Sequence, residues 1–535
     1  MPERVQQNAA YQNGISTSGT ACRVSDTSPS SGMCPICIRE CGFLCEISLS
    51  SFRGREVLYP SPAHFGRSTA GGVKDYGLTF NDFNIMAELL GTQGIEANSD
   101  LAIFENADIT TTLGGIPLKV PVICGAYGST RVGEANWDGL ATGSALSGVS
   151  LIIGENVCGM DSRSIITDGK VTSSADMEYR VKKYREFWDG KHGEVVVQTN
   201  VEDQRLGVDE YVMSKLDVNV IERKWGQGAK AIGGEVRLNT LERAKLLKSR
   251  GYIVIPDPDD PEIQEAFKAG VFKTFERHSR VGMLKPRSFL EDVQWLRERG
   301  AKKVTIKTGA YRPSAVAWTM KIASDAEVNY VTFDGAGGGT GMSPVPMMNE
   351  MSTPTIYLAA QVLKCCQLLK KKGRYVPDIV LAGGIINETQ IYKAIAMSNF
   401  GDGPFIKAAC LGRSPLTSVM KADYFLELAK EKKLPPAFTS LYGDTPEKWF
   451  NALPDLKEQY GGRAKDIPYQ GVALYTYLTD RIGVGLKQLL AGSRRFKLDL
   501  LSRSNLASLN ERAAKVTCIP LLEELDSEQM EMILG

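Results

Sequence analysis

Four cysteines lie close together near the start of the chain, in residues 33–47 (MCPICIRECGFLCEI). Cys34, Cys37, Cys41 and Cys45 follow the spacing C-x2-C-x3-C-x3-C. A [4Fe–4S] cluster needs four thiolates that converge on a small volume, and short irregular loops between the cysteines allow this. The spacing therefore predicts a metal-binding module, and it favours an iron–sulfur cluster.

Two other interpretations of this cysteine quartet stay open. Structural zinc sites usually separate two short cysteine pairs by a longer loop, which this segment lacks. Unligated thiols are the other possibility, whereas disulfides within the quartet are opposed by the expected cytoplasmic setting. The chain has 11 cysteines, and those outside the quartet do not follow a disulfide framework. A reducing cytoplasm is therefore the expected setting. Several of the remaining cysteines stand in apolar runs, namely Cys124, Cys365, Cys366 and Cys410.

Glycine-rich turns follow several β-branched apolar runs. The segment FDGAGGGTGMSP (333–344) is too rich in glycine to serve core packing, and its bare N–H groups suit a flat ligand. Gly338, Gly339 and Thr340 are its candidate binding residues. Gly383 and Gly384 follow a later run, and Gly412 with Arg413 follows the last one. Backbone N–H groups at such turns bind phosphate, so these four residues predict a phosphate-bearing cofactor.

Charged and polar residues near the same turns suggest substrate and cofactor contacts. Lys307 stands inside the apolar run KVTIKTG, where a charge is costly without a partner. A flavin carbonyl edge or a buried salt bridge could be that partner. Gln227 and Lys230 lie on the glycine-rich segment KWGQGAKAIGGE. Arg277, in ERHSR, could grip a carboxylate through its bidentate fork, although it could equally be an exposed arginine.

Short apolar runs alternate with longer helical stretches along the chain, and these elements must position the residues described above. Continuous apolar strands covered by helices are typical of parallel sheet. Eight such units predict a (β/α)8 barrel of the TIM type, with a doubly wound sheet as the alternative. A ninth run, GYIVIP (251–256), is expected in an insertion between the fourth and fifth units. The eight runs are residues 120–126, 150–155, 194–200, 218–225, 303–309, 329–335, 378–384 and 405–410.

The sequence divides into four predicted regions. Residues 1–32 are a polar arm, 33–50 the cysteine module, 51–425 the barrel with its lead-in segment, and 426–535 a helical extension packed on the barrel. Lys plus Arg (63) nearly balances Asp plus Glu (62), which gives little support to nucleic-acid binding. The sequence also contains no apolar run long enough to span a membrane and no apparent secretory signal at its start.

Several of these motifs resemble, in order, the FMN-binding barrel domain of glutamate synthase in its stand-alone archaeal-type form. The segment ICGAYGSTRVGEA is similar to that family's GAMSYGSIS, KWGQGAKAIGG to QGAKPGEGG, and GGTGMSP to GGTGASP. The family's RHS motif is also present, downstream of KWGQGAKAIGG. LAGGI stands where the family has DGG, and ALYTYLTDRIGVGLKQLL resembles the C-terminal helix of the domain. The resemblance covers roughly residues 60 to 510, and its specificity comes from the order of the motifs.

The resemblance implies FMN as cofactor and 2-oxoglutarate or 2-iminoglutarate as substrate. We expect electrons to come from a partner protein and the chain to form an oligomer. The implied substrate residues are Gln227, Lys230 and Arg277, and Glu155 falls near a conserved acidic position. The implied flavin contacts are Ser129, Lys307, Gly383, Gly384, Gly412 and Arg413.

The chain departs from the family in ways that affect the expected chemistry. It lacks the glutaminase domain, so we expect a separate glutaminase subunit to supply ammonia. The family's iron–sulfur cysteines after the eighth strand are also missing, which makes the N-terminal quartet the expected replacement. Ala336 and Gly337 replace a His-Asp pair, and KAIGGE is shorter than its counterpart. A subunit of a methylamine–glutamate N-methyltransferase-type complex, or a flavin electron-transfer subunit without its own substrate, are the alternatives.

Overall fold

The computed structural model describes most of the chain: residues 38–40, 42, 46–59, 70–226, 232–283, 285–338 and 343–535. The predicted cysteine quartet lies outside the described residues. The predicted site residues Gln227, Lys230, Gly339 and Thr340 also lie outside them. Within the described ranges, no group of histidine, cysteine or acidic side chains is arranged to hold a metal ion.

Eight of the described strands are parallel and close into a barrel. The strands are β1 (Phe83–Ile85), β2 (Thr111–Leu113), β3 (Ile116–Leu118), β4 (Val122–Tyr127), β5 (Ser150–Ile153), β6 (Ile165–Thr167), β7 (Lys170–Ser173), β8 (Val195–Thr199), β9 (Val220–Lys224), β10 (Glu235–Leu238), β11 (Ile253–Ile255), β12 (Phe275–His278), β13 (Lys303–Gly309), β14 (Tyr330–Asp334), β15 (Asp378–Ala382), β16 (Ile406–Leu411) and β17 (Leu506–Ser508). The barrel order is β13–β14–β15–β16–β4–β5–β8–β9, with β9 pairing back to β13. All eight barrel strands correspond to the apolar runs of the sequence, so the predicted parallel barrel is confirmed and the doubly wound alternative is wrong.

Helices cover the outside of the barrel and continue beyond its last strand. A π-helix, Thr476–Gly483, connects two of the later helices. Among the described residues, no helix combines the length and apolar character that crossing a bilayer requires. The α-helices are Glu46–Arg53, Arg131–Ala135, Trp137–Leu146, Val157–Met160, Ala175–Arg185, Val201–Arg205, Val208–Leu216, Leu241–Ser249, Pro261–Lys268, Pro286–Glu298, Pro313–Asp325, Val345–Glu350, Thr355–Lys371, Glu388–Met397, Arg413–Lys430, Pro436–Tyr442, Leu453–Tyr460, Tyr469–Tyr475, Val484–Gly492, Glu511–Thr517 and Ser527–Leu534.

The hairpin β2–β3 fills the N-terminal end of the barrel. Its side chains Leu113, Ile116 and Leu118 are buried together with Ile123 and Tyr330 from the barrel strands. Because apolar side chains occupy this end, the interior can open only at the carboxyl ends of the strands. In barrels of this kind the chemistry lies at that end.

A three-stranded antiparallel sheet is inserted between the fourth and fifth barrel strands, in the order β10–β12–β11. The run GYIVIP supplies β11, as expected for an insertion. Along the central strand β12, Phe275 and Arg277 are buried, whereas Glu276 and His278 are partly exposed. This period-two alternation directs Arg277 away from solvent.

The helix Tyr469–Tyr475 packs against Trp137–Leu146 and Arg413–Lys430, two helices that follow barrel strands. Glycine permits the closest part of this crossing, since a Cβ at Gly143 would lie 2.5 Å from the Cβ of Leu474. The chain beyond the barrel is therefore anchored directly on the barrel's outer helices, beside the loops that follow β4 and β16.

Candidate functional site

A cavity of about 770 Å³ opens at the carboxyl ends of the barrel strands. It is lined by residues that follow β4, β5, β14, β15 and β16, together with side chains from β9, β13 and the inserted sheet. The cavity brings together every predicted site residue that lies within the described ranges. These are Ser129, Glu155, Arg277, Lys307, Gly338, Gly383, Gly384, Gly412 and Arg413.

Two glycine turns meet on one wall of this cavity. Gly383 and Gly384 have φ values of 111° and 82°, a region that side chains rarely adopt. A Cβ at Gly383 would lie 2.7 Å from the backbone N of Gly335, and one at Gly337 would lie 2.6 Å from the carbonyl O of Gly383. The loops after β14 and β15 therefore pack backbone against backbone, which leaves peptide groups at the surface of the cavity.

The adjoining wall is the start of the helix Arg413–Lys430. Gly412 precedes it without a side-chain cap, and a Cβ built there would meet nothing within 4 Å. The first N–H groups of a helix lack intrahelical partners and attract anions. Arg413 adds a positive charge, and one of its Nη atoms lies 3.4 Å from the carbonyl O of Gly337. The Tyr127 hydroxyl donates to the Gly412 carbonyl at 2.8 Å and fixes the turn.

Two lysines stand side by side at the centre of the cavity. Lys307 of β13 is in register with Lys224 of β9. The Lys224 Nζ lies 3.3 Å from both carboxylate oxygens of Glu155. Burial works to raise the pKa of Glu155, but the Lys224 ammonium outweighs it and holds that pKa below its usual value. Glu155 is therefore ionised at neutral pH and acts as an acceptor.

Lys307 has no hydrogen-bonded or ion-paired side chain among the described residues, although it is only 7% exposed. Burial disfavours its charge, yet the surrounding Cys410, Asp334, Glu222 and Glu155 raise the pKa of Lys307 above its ordinary value. A buried ammonium without a direct partner is costly. The salt bridge that the sequence left open as its partner is thus absent from the described part of the cavity, and the ammonium is available to a ligand group.

Glu222 of β9 lies beneath the two lysines and is fully buried. Its Oε1 accepts a hydrogen bond of 2.5 Å from the Gln198 amide, whose own oxygen lies 3.4 Å from the Lys224 Nζ. Burial raises the pKa of Glu222. The four side chains Glu222, Gln198, Lys224 and Glu155 form a continuous polar chain from the barrel interior to the cavity.

Arg277 reaches the cavity from the inserted sheet and is 2% exposed. Its guanidinium carbon lies 5.0 Å from the centre of the Tyr252 ring, and one Nη donates to the Ser279 hydroxyl. Its Nε has no hydrogen-bond partner among the described residues. Burial lowers the pKa of Arg277, although an arginine remains charged at neutral pH. The cavity thus presents a buried, incompletely satisfied guanidinium, which suits a carboxylate.

A buried carboxyl group, Asp203, supports the turn that carries Glu155. Its two oxygens accept hydrogen bonds from the backbone N of Asn156, at 3.1 and 3.0 Å, and one accepts from the backbone N of Asn200. Asn156 has φ 67° and lines the cavity. Asp203 therefore fixes the strained residue next to Glu155.

We expect Asp203 to make the protein less stable as the pH rises. Burial raises the pKa of Asp203 to about 7, whereas an unfolded aspartate titrates at about pH 4. Its stabilising contribution is complete below about pH 4 and is lost through about pH 7, at most about 4 kcal/mol. Thermal melting temperatures from pH 5 to 8 should fall less steeply in Asp203→Asn than in the parent chain. Parallel profiles for the two proteins would contradict this expectation.

Sequence reasoning missed several residues that line the cavity or lie just beneath it. Lys224 and Glu222 stand in an apolar run, so the argument applied to Lys307 could have found both. Asp334 ends β14 and lies beside the glycine loop, where a Cβ at Gly338 would come within 2.4 Å of its Oδ1. Tyr477 comes from the helical segment beyond the barrel, and no local signal identified it.

The strand pairing defines a closed parallel (β/α)8 barrel with a polar, glycine-lined mouth. Comparisons with known proteins add a relation to a family. Residues 280–412 match the family described as "Conserved region in glutamate synthase". This segment includes β13 to β16 and ends at Gly412. The resemblance to the glutamate synthase FMN domain is confirmed over this part of the chain.

Curated relatives show the same relation over a shorter span. The archaeal-type glutamate synthases (NADPH) of Thermotoga maritima and Thermotoga neapolitana are each 36% identical over 114 residues. The match covers 21% of this chain and 21% of each relative. The aligned region is thus about a fifth of the length of these relatives.

Solved structures give weak overall similarity at low identity. The flavin-binding domain of baker's yeast flavocytochrome b2 is 14% identical with a TM-score of 0.43, and covers 81% of this chain and 78% of that one. A soluble mutant of (S)-mandelate dehydrogenase from Pseudomonas putida is 15% identical with a TM-score of 0.40, covering 80% and 88%. The barrel assignment rests on the strand pairing itself.

Proposed function

We propose that this chain is an FMN-dependent oxidoreductase whose cofactor occupies the cavity at the barrel mouth. The observation that carries the proposal is the buried ammonium of Lys307, which has no direct partner in the described structure and faces a glycine-lined cavity. A flavin offers an anionic phosphate and an electron-rich carbonyl edge. The glycine turns and the buried cation supply matching groups for both.

The residues divide between the two ends of such a cofactor. Gly383, Gly384, Gly412 and Arg413 would hold the phosphate through backbone N–H groups and one guanidinium. Lys307, Ser129 and the loop 338–340 would hold the ring. When bound, FMN supplies hydride and electron transfer, and the protein supplies position and electrostatics.

We propose that the substrate is 2-iminoglutarate, formed from 2-oxoglutarate and ammonia, or a related dicarboxylate. Arg277 would bind a carboxylate, and Gln227 and Lys230 would hold the rest of the molecule. Glu155, kept ionised by Lys224, would orient the substrate nitrogen as a hydrogen-bond acceptor. The overall change is reduction of the C=N bond by two electrons and two protons, which gives an amino acid and serves glutamate biosynthesis.

We propose that electrons enter from a partner protein through a [4Fe–4S] cluster on Cys34, Cys37, Cys41 and Cys45. Support comes from the donor set alone, four closely spaced cysteines. Iron and sulfide analysis of anaerobically purified protein tests this, because zinc in place of iron would refute the cluster. The same proposal includes a cytoplasmic, oligomeric protein served by a separate glutaminase subunit.

The proposed organisation assigns these roles to regions of the chain. Residues 1–32 would form an arm, 33–50 the cluster module, 51–425 the flavin-binding barrel and 426–535 a helical layer packed on it. Limited proteolysis followed by mass spectrometry would test the boundaries, which should cut near residues 32 and 50 before any site inside the barrel.

The function is tested by anaerobic reconstitution with FMN and rapid mixing. Chemically reduced protein should be reoxidised by 2-oxoglutarate plus ammonia, with glutamate formed in equal amount. Failure to retain any flavin would overturn the proposal. Retained flavin that is inert to this pair, together with turnover of methylamine and glutamate, would instead favour the N-methyltransferase-type complex.

A further inference from the structure

The π-helix Thr476–Gly483 brings a residue from beyond the barrel into the cavity. A π turn holds more residues than an α turn, and such segments are rare and frequently lie at functional sites. The apolar residues Leu474, Leu478, Ile482 and Leu486 recur every four positions and are all buried. The wider π turn accommodates this four-residue spacing, so the apolar face of the segment stays packed in the core. Tyr477, on another face of the same segment, lines the cavity.

This helix holds the loop after β15 at two points. The Tyr477 hydroxyl donates a hydrogen bond to the carbonyl O of Ile386. One turn later, a guanidinium nitrogen of Arg481 lies 2.6 Å from Oε1 of Glu388, a side chain that is only 9% exposed. The loop restrained in this way contains Gly383 and Gly384. The segment beyond the barrel therefore fixes the position of the two predicted phosphate-binding glycines.

A hydroxyl group with no assigned role lies opposite this loop. Ser414 lines the cavity in the first turn of the helix Arg413–Lys430. Its Oγ is buried and forms no hydrogen bond of normal geometry with the described residues, although the Tyr477 hydroxyl lies close enough to interact with it. A buried hydroxyl that makes no well-formed hydrogen bond is costly unless a ligand or water satisfies it. Its place beside Gly412 and Arg413 makes an anionic oxygen the matching ligand.

We propose that Ser414 is a direct phosphate-binding residue of the cofactor site and that Tyr477 positions the facing loop for the same phosphate. The proposal rests on the proposed FMN function and assigns two further residues to it. It implies that the barrel alone does not complete the cofactor site, because the helix beyond the barrel supplies the restraint. The phosphate, rather than the ring, is the part of the cofactor that both residues affect.

The test compares FMN with riboflavin, which has the same ring but no phosphate, by quenching of flavin fluorescence on binding to apoprotein. A hydrogen bond to a charged group is lost in Ser414→Ala, so FMN should bind about 10-fold more weakly or worse, whereas riboflavin affinity should stay within about twofold. Tyr477→Phe should weaken FMN binding in the same selective way. Inorganic phosphate should compete with FMN less effectively in Ser414→Ala than in the parent chain.

Tyr475→Phe is the matched control, because Tyr475 lies in the adjoining helix and does not line the cavity. It should leave both affinities unchanged. FMN affinity that is unaffected in Ser414→Ala and Tyr477→Phe would overturn the inference while leaving the FMN proposal intact. Equal weakening of FMN and riboflavin would also overturn it, since that points to general loss of structure. Absence of FMN binding by the parent chain would overturn the proposed function itself.

Discussion

Replacing Lys307 by methionine is expected to lower the rate of flavin reduction and turnover by about 1000-fold. Methionine fills a similar volume but removes a buried ammonium that faces the proposed ring position and has no direct partner among the described residues. Negative charge that develops on a reduced flavin would then face Asp334, Glu222 and Glu155, with only the Lys224 ammonium, already paired with Glu155, to offset them. The midpoint potential of bound FMN should therefore fall, because the reduced, more anionic form is destabilised.

Anaerobic redox titration of the FMN-loaded protein measures this effect separately from catalysis. Lys303→Met is the matched control, since Lys303 starts the same strand at the opposite end of the barrel from the cavity. That control should leave the potential unchanged. An unchanged potential in Lys307→Met would contradict the assignment of Lys307 to the ring. Comparable melting temperatures in both variants would show that the barrel is intact.

Replacing Arg277 by lysine is expected to raise the KM for a dicarboxylate substrate by about 100-fold, with a smaller effect on kcat. Lysine keeps the positive charge but loses the planar fork that matches a carboxylate. It also loses the stacking on Tyr252 that aims the guanidinium into the cavity. The change tests geometry rather than charge.

Substrate affinity can be measured without turnover from the spectral change of bound flavin when 2-oxoglutarate is added. Arg299→Lys is a suitable control, because Arg299 also stacks on an aromatic ring, that of Trp295 at 4.3 Å, but does not line the cavity. It should leave KM unaltered. A KM in Arg277→Lys equal to that of the parent chain would show that the carboxylate is bound elsewhere.

The barrel and much of its mouth could be predicted because their signals are local. Each parallel strand is buried on both faces, so it appears in the sequence as a continuous apolar run. The turn after β15 was visible for a similar reason, since the positive φ and close backbone packing of Gly383 require glycine. Gly412 after β16 has φ −101° and open space around it, so its conformation does not require glycine. Lys307 was conspicuous because a charge interrupts an otherwise apolar strand.

The surroundings of Arg277 could not be predicted in this way. Its strand β12 pairs with β10 and β11, and the pairs Glu235↔His278 and Ile253↔His278 join residues that are 43 and 25 positions apart in the chain. Four residues of alternating pattern are too few to identify a strand. Burial of Arg277 depends on this non-local pairing and on the ring of Tyr252.

The sequence by itself determined the parallel barrel, the glycine turns at its mouth and the buried lysine, because each arises from a preference of neighbouring residues in the chain. Only the tertiary structure decided which distant groups share the cavity. The contact between Lys224 and Glu155, the place of Arg277 and the entry of Tyr477 follow from strand register and helix packing. Those contacts join residues far apart in the chain, and no local pattern encodes their separation in space.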